Sequence, residues 1–328
     1  MKNDKLLHFI RIFVSVGIII SIFWFVDTEK IPSIKDVDLR LVSLVLVLTL
    51  FDSIINAYKW SILVRSAGLK VNFKRLLKIY FTSGFVGLAL PSGIGGELLK
   101  GYGLAKTTSK TIDSASSVVV GRITGLLGLT FLCVIGYLAA GPSLKDISAI
   151  VNIKNVSLLI TIVSILAITF GFFIPEEYVL PQKKDGIIKK FLRKVFRSFY
   201  QYKKEYYALV ITFAISILIH VVRSATVYIS SLSVGVEINF VYFLIFVPFV
   251  QLGGVIPMTM GGVGVKEGIA VYLFSIIGVS GASALSMYII VRIMAIASVG
   301  PGAWIYFQEG LITRKPGESS QEIAENTT

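Results

Sequence analysis

The stretch Pro91-Ser-Gly-Ile-Gly-Gly-Glu-Leu-Leu-Lys100 interrupts a long apolar sequence, and a second stretch repeats its pattern. The second stretch is Pro257-Met-Thr-Met-Gly-Gly-Val-Gly-Val-Lys-Glu267. Both stretches have a proline, three residues, two glycines, three residues and a lysine. Similar residues precede the two stretches. Three positions after Gly68 the sequence reads Val71-Asn-Phe73, and three positions after Gly235 it reads Ile238-Asn-Phe240. Landmarks in the same order indicate an internal duplication.

The spacing of the landmarks adds a detail to this duplication. Pro91 and Pro257 are 166 positions apart, whereas Arg122 and Arg292, which follow the two stretches inside apolar runs, are 170 apart. The second copy therefore contains a small insertion.

The composition indicates a membrane protein with several spans. Of the 328 residues, 55% are hydrophobic and 16% are charged, and the mean hydropathy is +0.80. A soluble domain of this length exposes more polar surface. The net charge of +13 is typical of basic cytoplasmic loops that face anionic lipid, so we predict no nucleic-acid partner. With one cysteine and two histidines, the chain has no disulfide framework, and we predict no metal site and no cofactor.

The apolar runs and the loop charges together predict a topology. Six runs are predicted to be full transmembrane helices: 6–26, 41–64, 112–139, 155–174, 207–234 and 282–307. Loops rich in lysine and arginine are assigned to the cytoplasm, which places both termini inside. We predict one integral membrane domain over residues 1–312, followed by a polar, disordered tail over residues 313–328.

Two further apolar segments are interrupted by the repeated stretches. Residues 79–90 end at the first stretch, and the second stretch divides residues 241–256 from residues 268–278. Basic residues flank the first stretch on both sides, which conflicts with a single crossing of the membrane. We therefore predict two re-entrant broken-helix segments, each shielded by the rest of the protein or lining a wet cavity.

The fold class that follows is an all-α polytopic membrane protein with two inverted-topology repeats. Repeat one covers about residues 41–140, and repeat two covers about residues 207–307. Three predicted spans separate corresponding points of the two copies. Because an odd number of crossings brings the chain to the other side of the membrane, the second copy is inverted relative to the first. Inverted repeats with broken helices near the membrane midplane are a recurrent plan of transporters.

A strongly basic segment connects the two repeats. Residues 175–206 contain nine lysines or arginines and four acidic residues, and apolar residues recur at helical spacing among them. We predict that about residues 183–206 form an amphipathic helix on the cytoplasmic leaflet. A solvated linker is the alternative.

The repeated stretches combine helix-breaking residues with a lysine. Proline removes a backbone donor and adjacent glycines relax the backbone. A helix that restarts after Gly96 or Gly262 presents free N–H groups and a positive dipole end, which favour an anion such as phosphate. Lys100 and Lys266 are predicted to lie one turn inside that restart. The alternative is that the glycines only permit close helix packing.

Charged residues within or near the apolar spans are the second signal of a site. Three are acidic and three are basic: Asp52, Glu97, Arg122, Arg223, Glu267 and Arg292. A charge at the bilayer centre costs about 2.5–3.5 kcal/mol even on the lenient insertion scale, which favours a functional role. Glu97 and Glu267 lie beside the predicted helix ends, where they pair with a basic side chain or contact an amine. The alternative is that the six charges only pair with each other and lock the bundle.

The predicted substrate-binding residues combine both signals: Pro91, Gly95, Gly96, Glu97, Lys100, Arg122, Arg223, Pro257, Gly261, Gly262, Lys266, Glu267 and Arg292. The sequence shows no catalytic constellation such as a nucleophile elbow, a P-loop or an HExxH motif. We therefore predict no catalytic residue.

At these residues the chain resembles the transmembrane region of lysylphosphatidylglycerol synthases and the wider flippase-like, UPF0104-type membrane proteins. The resemblance is carried by the stretch from Pro91 to Tyr102 with Arg122 and by the stretch from Pro257 to Glu267 with Arg292. It covers roughly residues 6–310. In the synthases, a soluble domain transfers lysine from charged tRNA to phosphatidylglycerol, and the membrane region is associated with moving the product lipid between leaflets. The sequence stops at Thr328 without such a domain, so lysyl transfer is not expected.

The resemblance implies a flippase-like transporter of the cytoplasmic membrane, not an enzyme. Its expected partners are membrane lipids, either an anionic phospholipid or a polyprenyl-phosphate-linked lipid, whose head-group phosphate binds at the two broken-helix ends. Three alternatives stay open. The first alternative is a membrane-embedded head-group transferase with Glu97 and Glu267 as its acid/base pair. The second is a non-transporting membrane partner of a soluble lipid-modifying enzyme, and the third is a small-solute transporter.

Overall fold

The computed structural model describes most of the chain. The described residues are 36–88, 90, 95–140, 147–173, 202, 205–254 and 262–309, and for 167–173 only the helical backbone is described. Several predictions lie outside these residues: the first span at 6–26, nearly all of the linker at 183–206, the tail at 313–328, and the site residues Pro91, Pro257 and Gly261.

The described part of the chain is helical and contains no strand. Its helices are α1 Leu39–Ser66, α2 Phe73–Leu88, α3 Gly95–Thr108, α4 Thr111–Ala139, α5 Ser148–Phe173, α6 Tyr206–Ser233, α7 Phe240–Gly253, α8 Val265–Ser275, α9 Gly281–Ser298 and α10 Gly300–Glu309. Five segments are long and apolar enough to cross a membrane: Leu39–Ser66, Thr111–Ala139, Ser148–Leu166, Tyr206–Ser233 and Gly281–Glu309. The all-helical, polytopic fold class is confirmed.

The turn that precedes each broken segment has the same construction in both copies. Gly68 and Gly235 have φ angles of 72° and 74°, in the left-handed region that glycine adopts without a Cβ clash. Four residues later, the side-chain oxygens of Asn72 and Asn239 each accept a backbone N–H from two residues downstream at 3.0 Å. The two copies therefore share local geometry as well as sequence.

Each repeated stretch joins two short helices that pack against each other, α2 on α3 and α7 on α8. A Cβ placed on Gly87 would lie 2.8 Å from the Cα of Gly96, and one placed on Gly262 would lie 3.3 Å from the Cα of Gly254. The two arms of each hairpin therefore approach backbone to backbone, which small residues permit. The helices on either side of each stretch form a hairpin, and the re-entrant position of these hairpins in the membrane stays a prediction.

The contacts between helices pair up between the two halves of the molecule. In order, α1, α2 and α3 correspond to α6, α7 and α8, and α4 corresponds to α9 plus α10, which are separated at Val299 just before Pro301. Helix α1 packs on its own counterpart α6. The contact of α4 with α6 has its equivalent in the contact of α9 with α1. In the same way, the contact of α4 with α7 has its equivalent in the contact of α10 with α2. This reciprocity is expected of two halves related by an approximate twofold axis. Their inversion across the membrane stays a prediction.

The second half contains the larger buried core. Phe243, Phe246 and Phe274 are fully buried, and the centroid of the Phe274 ring is 5.3 Å from the centroids of the other two rings. The smaller core of the first half includes Trp60 and Leu104. Aromatic packing of this kind fixes α7 against α8.

Candidate functional site

Two arginine–glutamate pairs occupy equivalent places in the two copies. Arg122 of α4 donates from Nη1 to Oε2 of Glu97 in α3 at 2.7 Å. Arg292 of α9 donates from Nε to Oε1 of Glu267 in α8 at 2.6 Å. In each pair the arginine follows the glutamate by 25 residues. Each pair joins the second arm of a hairpin to the following long helix.

A third pair joins the two copies. Arg223 of α6 binds Asp52 of α1 with two hydrogen bonds, Nε to Oδ1 at 2.9 Å and Nη2 to Oδ2 at 3.1 Å. This side-by-side geometry is the strong, bidentate form of an arginine–carboxylate pair. All six charges that the sequence predicts inside the membrane therefore pair with one another. In this structure, the six charges therefore have the arrangement that the alternative reading of the sequence predicts, in which they pair with each other.

The second helix restart differs from the sequence-based prediction. Gly262 and Gly264 have φ angles of 74° and 84°, and the chain makes an additional turn before α8 begins at Val265. Lys266 is therefore the second residue of α8, not one turn inside it, whereas Lys100 is the sixth residue of α3. The extra turn is the insertion that the unequal spacing of the two copies predicts.

Glu267 also forms the amino-terminal cap of α8. Its Oε2 accepts the backbone N–H of Gly264 at 2.8 Å while its Oε1 binds Arg292. A carboxylate in this position satisfies a helix donor and offsets the positive end of the helix dipole. The free helix end that the sequence predicts for an anion is thus partly occupied by the protein's own carboxylate.

Lys100 and Lys266 have no carboxylate partner among the described residues. The Nζ of Lys100 lies 4.9 Å from the centroid of the Tyr80 ring and 5.9 Å from that of the Trp60 ring, within the range of a cation–π contact. The Nζ of Lys266 donates to Oε1 of Gln251 in α7 at 2.8 Å. Neutral groups, not anions, therefore hold both ammonium groups.

Lys59 is a third lysine of this kind, and the sequence analysis missed it. It lies on α1, seven residues after Asp52 and so on the same helix face, and only 6% of it is exposed. Its Nζ donates to the backbone oxygen of Gly121 in α4 at 2.9 Å. A lysine inside an otherwise apolar span is the signal that identifies it, and Gln251 inside the apolar α7 has the same signal.

These residues form one charge cluster with more cations than anions. Its members are the cations Lys59, Lys100, Arg122, Arg223, Lys266 and Arg292 and the carboxylates Asp52, Glu97 and Glu267. Counted over the described residues, six formal positive charges against three formal negative charges leave an excess of three. Arg223 lies within electrostatic reach of all three lysines and so connects the two hairpins. Residues 91–94 and 255–261, outside the described part, contain no ionisable side chain, so they do not change this count.

The described residues contain no group of three or more histidine, cysteine or acidic side chains that could hold a metal ion. What the charge cluster offers chemically is a set of lysine ammonium donors beside carboxylates that are already paired. Such a set is suited to binding an anion.

The fold and the charge cluster define a multi-pass helical membrane protein with an ionic interior. The chain belongs to the family described as the lysylphosphatidylglycerol synthase TM region, which matches residues 9–300 and confirms the resemblance seen in the sequence. The UPF0104 membrane protein PH1989 of Pyrococcus horikoshii is 23% identical over 312 residues, which cover 88% of this chain and 92% of the relative. A UPF0104 membrane protein of Methanothermobacter thermautotrophicus is 24% identical over 278 residues, which cover 76% of this chain and 80% of the relative.

Proposed function

We propose that this protein is a flippase-like lipid transporter of the cytoplasmic membrane. It would move a phospholipid or a polyprenyl-phosphate-linked lipid between leaflets and bind the phosphate of the head group inside the protein. The observation that supports this proposal is the excess of three positive charges in the charge cluster. Ammonium groups without a counter-charge are costly within a membrane, and an anion that joins them lowers this cost. Lipid phosphate is the anion present throughout a membrane.

The three lysines are the proposed phosphate contacts. The arginines are engaged by carboxylates at 2.6–3.1 Å, so their proposed role is to fix the positions of the hairpins around the head group. The sequence analysis instead predicts Arg122 and Arg292 as substrate-binding residues. At α8, the side chain of Lys266 is a better anion donor than the helix end, because Glu267 already accepts the N–H of Gly264. The acyl chains would stay in the bilayer.

We also propose that the chain is not itself an enzyme. The transferase alternative needs Glu97 and Glu267 as an acid/base pair. Both carboxylates are already bound by arginines, so neither carboxylate is free of an ion pair to serve as the acid or the base of such a pair. Product formation by the purified protein, with no soluble enzyme added, would contradict this proposal. A soluble lipid-modifying enzyme stays a candidate partner.

The test of transport is leaflet exchange of head-group-labelled lipids in proteoliposomes. The wild-type protein should accelerate exchange of one head-group class, and the double variant Lys100→Ala/Lys266→Ala should lose this acceleration by about tenfold or more, because two charge-assisted contacts are removed. Lys106→Ala is the matched control, since Lys106 is also on α3 and lies over a tyrosine ring, that of Tyr102, but is exposed and outside the charge cluster.

Two outcomes would overturn the proposal. One is no acceleration by the wild-type protein for any phospholipid or polyprenyl-phosphate lipid, which would favour the membrane-partner alternative. The other is full activity of the double variant, which would remove the lysines from the site.

A further inference from the structure

We infer that the head group carries about two negative charges on its phosphate, as a phosphomonoester or a diphosphate does, and that it binds beside the first hairpin between Lys59 and Lys100. This inference rests on the proposed function and names the substrate class of the same site.

The excess charge is divided unevenly between the two hairpins. Around the first hairpin the members are Lys59, Lys100, Arg122 and Arg223 against Asp52 and Glu97, an excess of two. Around the second hairpin they are Lys266 and Arg292 against Glu267, an excess of one. Lys59 causes the difference, because the position of α6 that corresponds to it is the uncharged Thr226. The first hairpin is therefore the stronger anion site.

The two lysines at the first hairpin interact electrostatically with each other. Lys59 and Lys100 lie within electrostatic reach of each other, and Trp60, the residue after Lys59, lies under the ammonium group of Lys100. Two like charges held close together repel each other unless an anion lies between them. A single anion that contacts both lysines removes this repulsion.

Among the described residues, the carboxylates whose charges act on these two lysines are Asp52 and Glu97, and each is bound by an arginine. Glu267, the third carboxylate of the charge cluster, is bound by Arg292. Asp113 lies in the first turn of α4, at the edge of its span. The missing counter-charge is therefore expected to come from the ligand.

The number of negative charges distinguishes the classes of lipid phosphate. A phosphodiester, as in phosphatidylglycerol, carries about one negative charge and leaves one of the two lysines without a counter-charge. A phosphomonoester carries about 1.5–2 negative charges and three acceptor oxygens. Each lysine ammonium has three donors, and the one described acceptor for the two lysines is the backbone oxygen of Gly121, which Lys59 uses. The charge and the free donors therefore both match a monoester or a diphosphate.

Binding can be measured through Trp60, which is buried and lies beside Lys100. In full-length protein with Trp24→Phe and Trp304→Phe, the remaining tryptophan reports on this site. The titrants are dioctanoyl phosphatidic acid, dioctanoyl phosphatidylglycerol, farnesyl phosphate and farnesyl diphosphate. We expect phosphatidic acid to bind about tenfold more tightly than phosphatidylglycerol, since it adds one charge-assisted interaction. The two farnesyl compounds show whether a glycerolipid or a polyprenyl source of the same phosphate is preferred. Equal binding of phosphatidic acid and phosphatidylglycerol would overturn the inference.

Variants locate the site and separate charge from folding. Lys100→Gln should weaken phosphatidic acid about tenfold and abolish its advantage over phosphatidylglycerol, whereas Lys100→Arg, which keeps the charge, should retain that advantage. Lys266→Gln should weaken both lipids alike and leave their ratio unchanged. Lys106→Gln is the matched control on α3. Loss of the advantage in Lys266→Gln but not in Lys100→Gln would overturn the assignment to the first hairpin.

Failure of this inference and failure of the transport proposal give different results. Selective binding of phosphatidic acid without any leaflet exchange contradicts transport and supports the charge class. Leaflet exchange with equal binding of phosphatidic acid and phosphatidylglycerol supports transport and contradicts the charge class.

Discussion

Glu97 and Glu267 make the same ion pair in the two copies, but their surroundings differ. The side chain of Glu97 is 32% exposed, whereas that of Glu267 is 8% exposed and also accepts the N–H of Gly264. Removing one partner of a buried pair leaves the other charge without compensation, which is far more costly than breaking an exposed pair. The two glutamates should therefore contribute unequally to stability.

We predict that Glu267→Gln lowers the stability of the folded protein by about 3 kcal/mol and Glu97→Gln by about 1 kcal/mol. The measurement is the thermal unfolding midpoint of each purified variant in the same detergent. Glu205→Gln is the control, because Glu205 is exposed at the start of α6 and makes no capping hydrogen bond, so its midpoint should not change. Equal losses for both glutamates would show that the cap of α8 contributes nothing.

For single residues, the sequence identifies the charged side chains inside the membrane more reliably than it identifies their ion-pair partners. A charge inside an apolar run is visible without a structure, which is how Arg122, Arg223 and Arg292 are found. Their partners depend on which helices meet, and Arg223 binds a residue 171 positions away. The same rule identifies Lys59, a lysine inside the apolar α1.

Among the secondary-structure elements, the hairpins depend on close contact between glycines. Gly87 and Gly96 bring α2 and α3 together, and a Cβ on Gly87 would meet backbone, which cannot move aside like a flexible side chain. Since α3 contains Lys100, the distance between the arms also sets the position of a proposed phosphate contact. Stability and binding should therefore change together when this contact is altered.

We predict that Gly87→Ala destabilises the protein by about 1–3 kcal/mol, the usual cost of overpacking, and weakens the binding of phosphatidic acid. Gly101→Ala is the matched control, because Gly101 is on α3 and a Cβ there would lie 3.6 Å from Val118, an ordinary contact. Thermal unfolding and the Trp60 titration give the two results. An unchanged Gly87→Ala variant would refute the backbone-to-backbone contact.

The start of α8 differs from the sequence-based prediction because the two stretches can be aligned in two registers. The pattern of glycines and lysines pairs Lys266 with Lys100, whereas the equivalent Arg–Glu ion pairs show that Glu267 corresponds to Glu97. The positive φ angles of Gly262 and Gly264 form the extra turn between the two registers. A sequence pattern contains no φ angle, so this turn could be predicted only as an insertion of unknown position.

At the scale of the whole molecule, the predicted spans that lie in the described residues agree with the helices of the structure, because few backbone arrangements can cross a membrane. A long apolar run must satisfy its own backbone hydrogen bonds, which a helix does. The run predicted at 112–139 is Thr111–Ala139 in the structure, and the run at 207–234 is Tyr206–Ser233. Helix packing was not predictable in the same way, because it depends on side-chain shapes at many positions. The reciprocal contacts of the two halves nevertheless favour the predicted duplication.

The orientation of the two halves can be tested at a pair of equivalent loop positions. Lys70 lies two residues after Gly68, Glu237 lies two residues after Gly235, and both side chains are exposed. If the repeats are inverted, these positions lie on opposite sides of the membrane. Lys70 should then be cytoplasmic, because its loop is basic, and Glu237 should be outside.

We predict that, in a Cys133→Ala background, a membrane-impermeant maleimide added to intact cells labels the variant Glu237→Cys but not Lys70→Cys. Cys133 is the single native cysteine and is buried, so its replacement gives a clean background. Labelling after detergent solubilisation is the control, and both variants should then react, since both positions are exposed. Labelling of both variants in intact cells would place the two loops on the same side and make the repeats parallel. In that case the two hairpins would enter the membrane from the same face. Because one hairpin contains Lys100 and the other Lys266, the two lysines could not receive a head group from opposite leaflets.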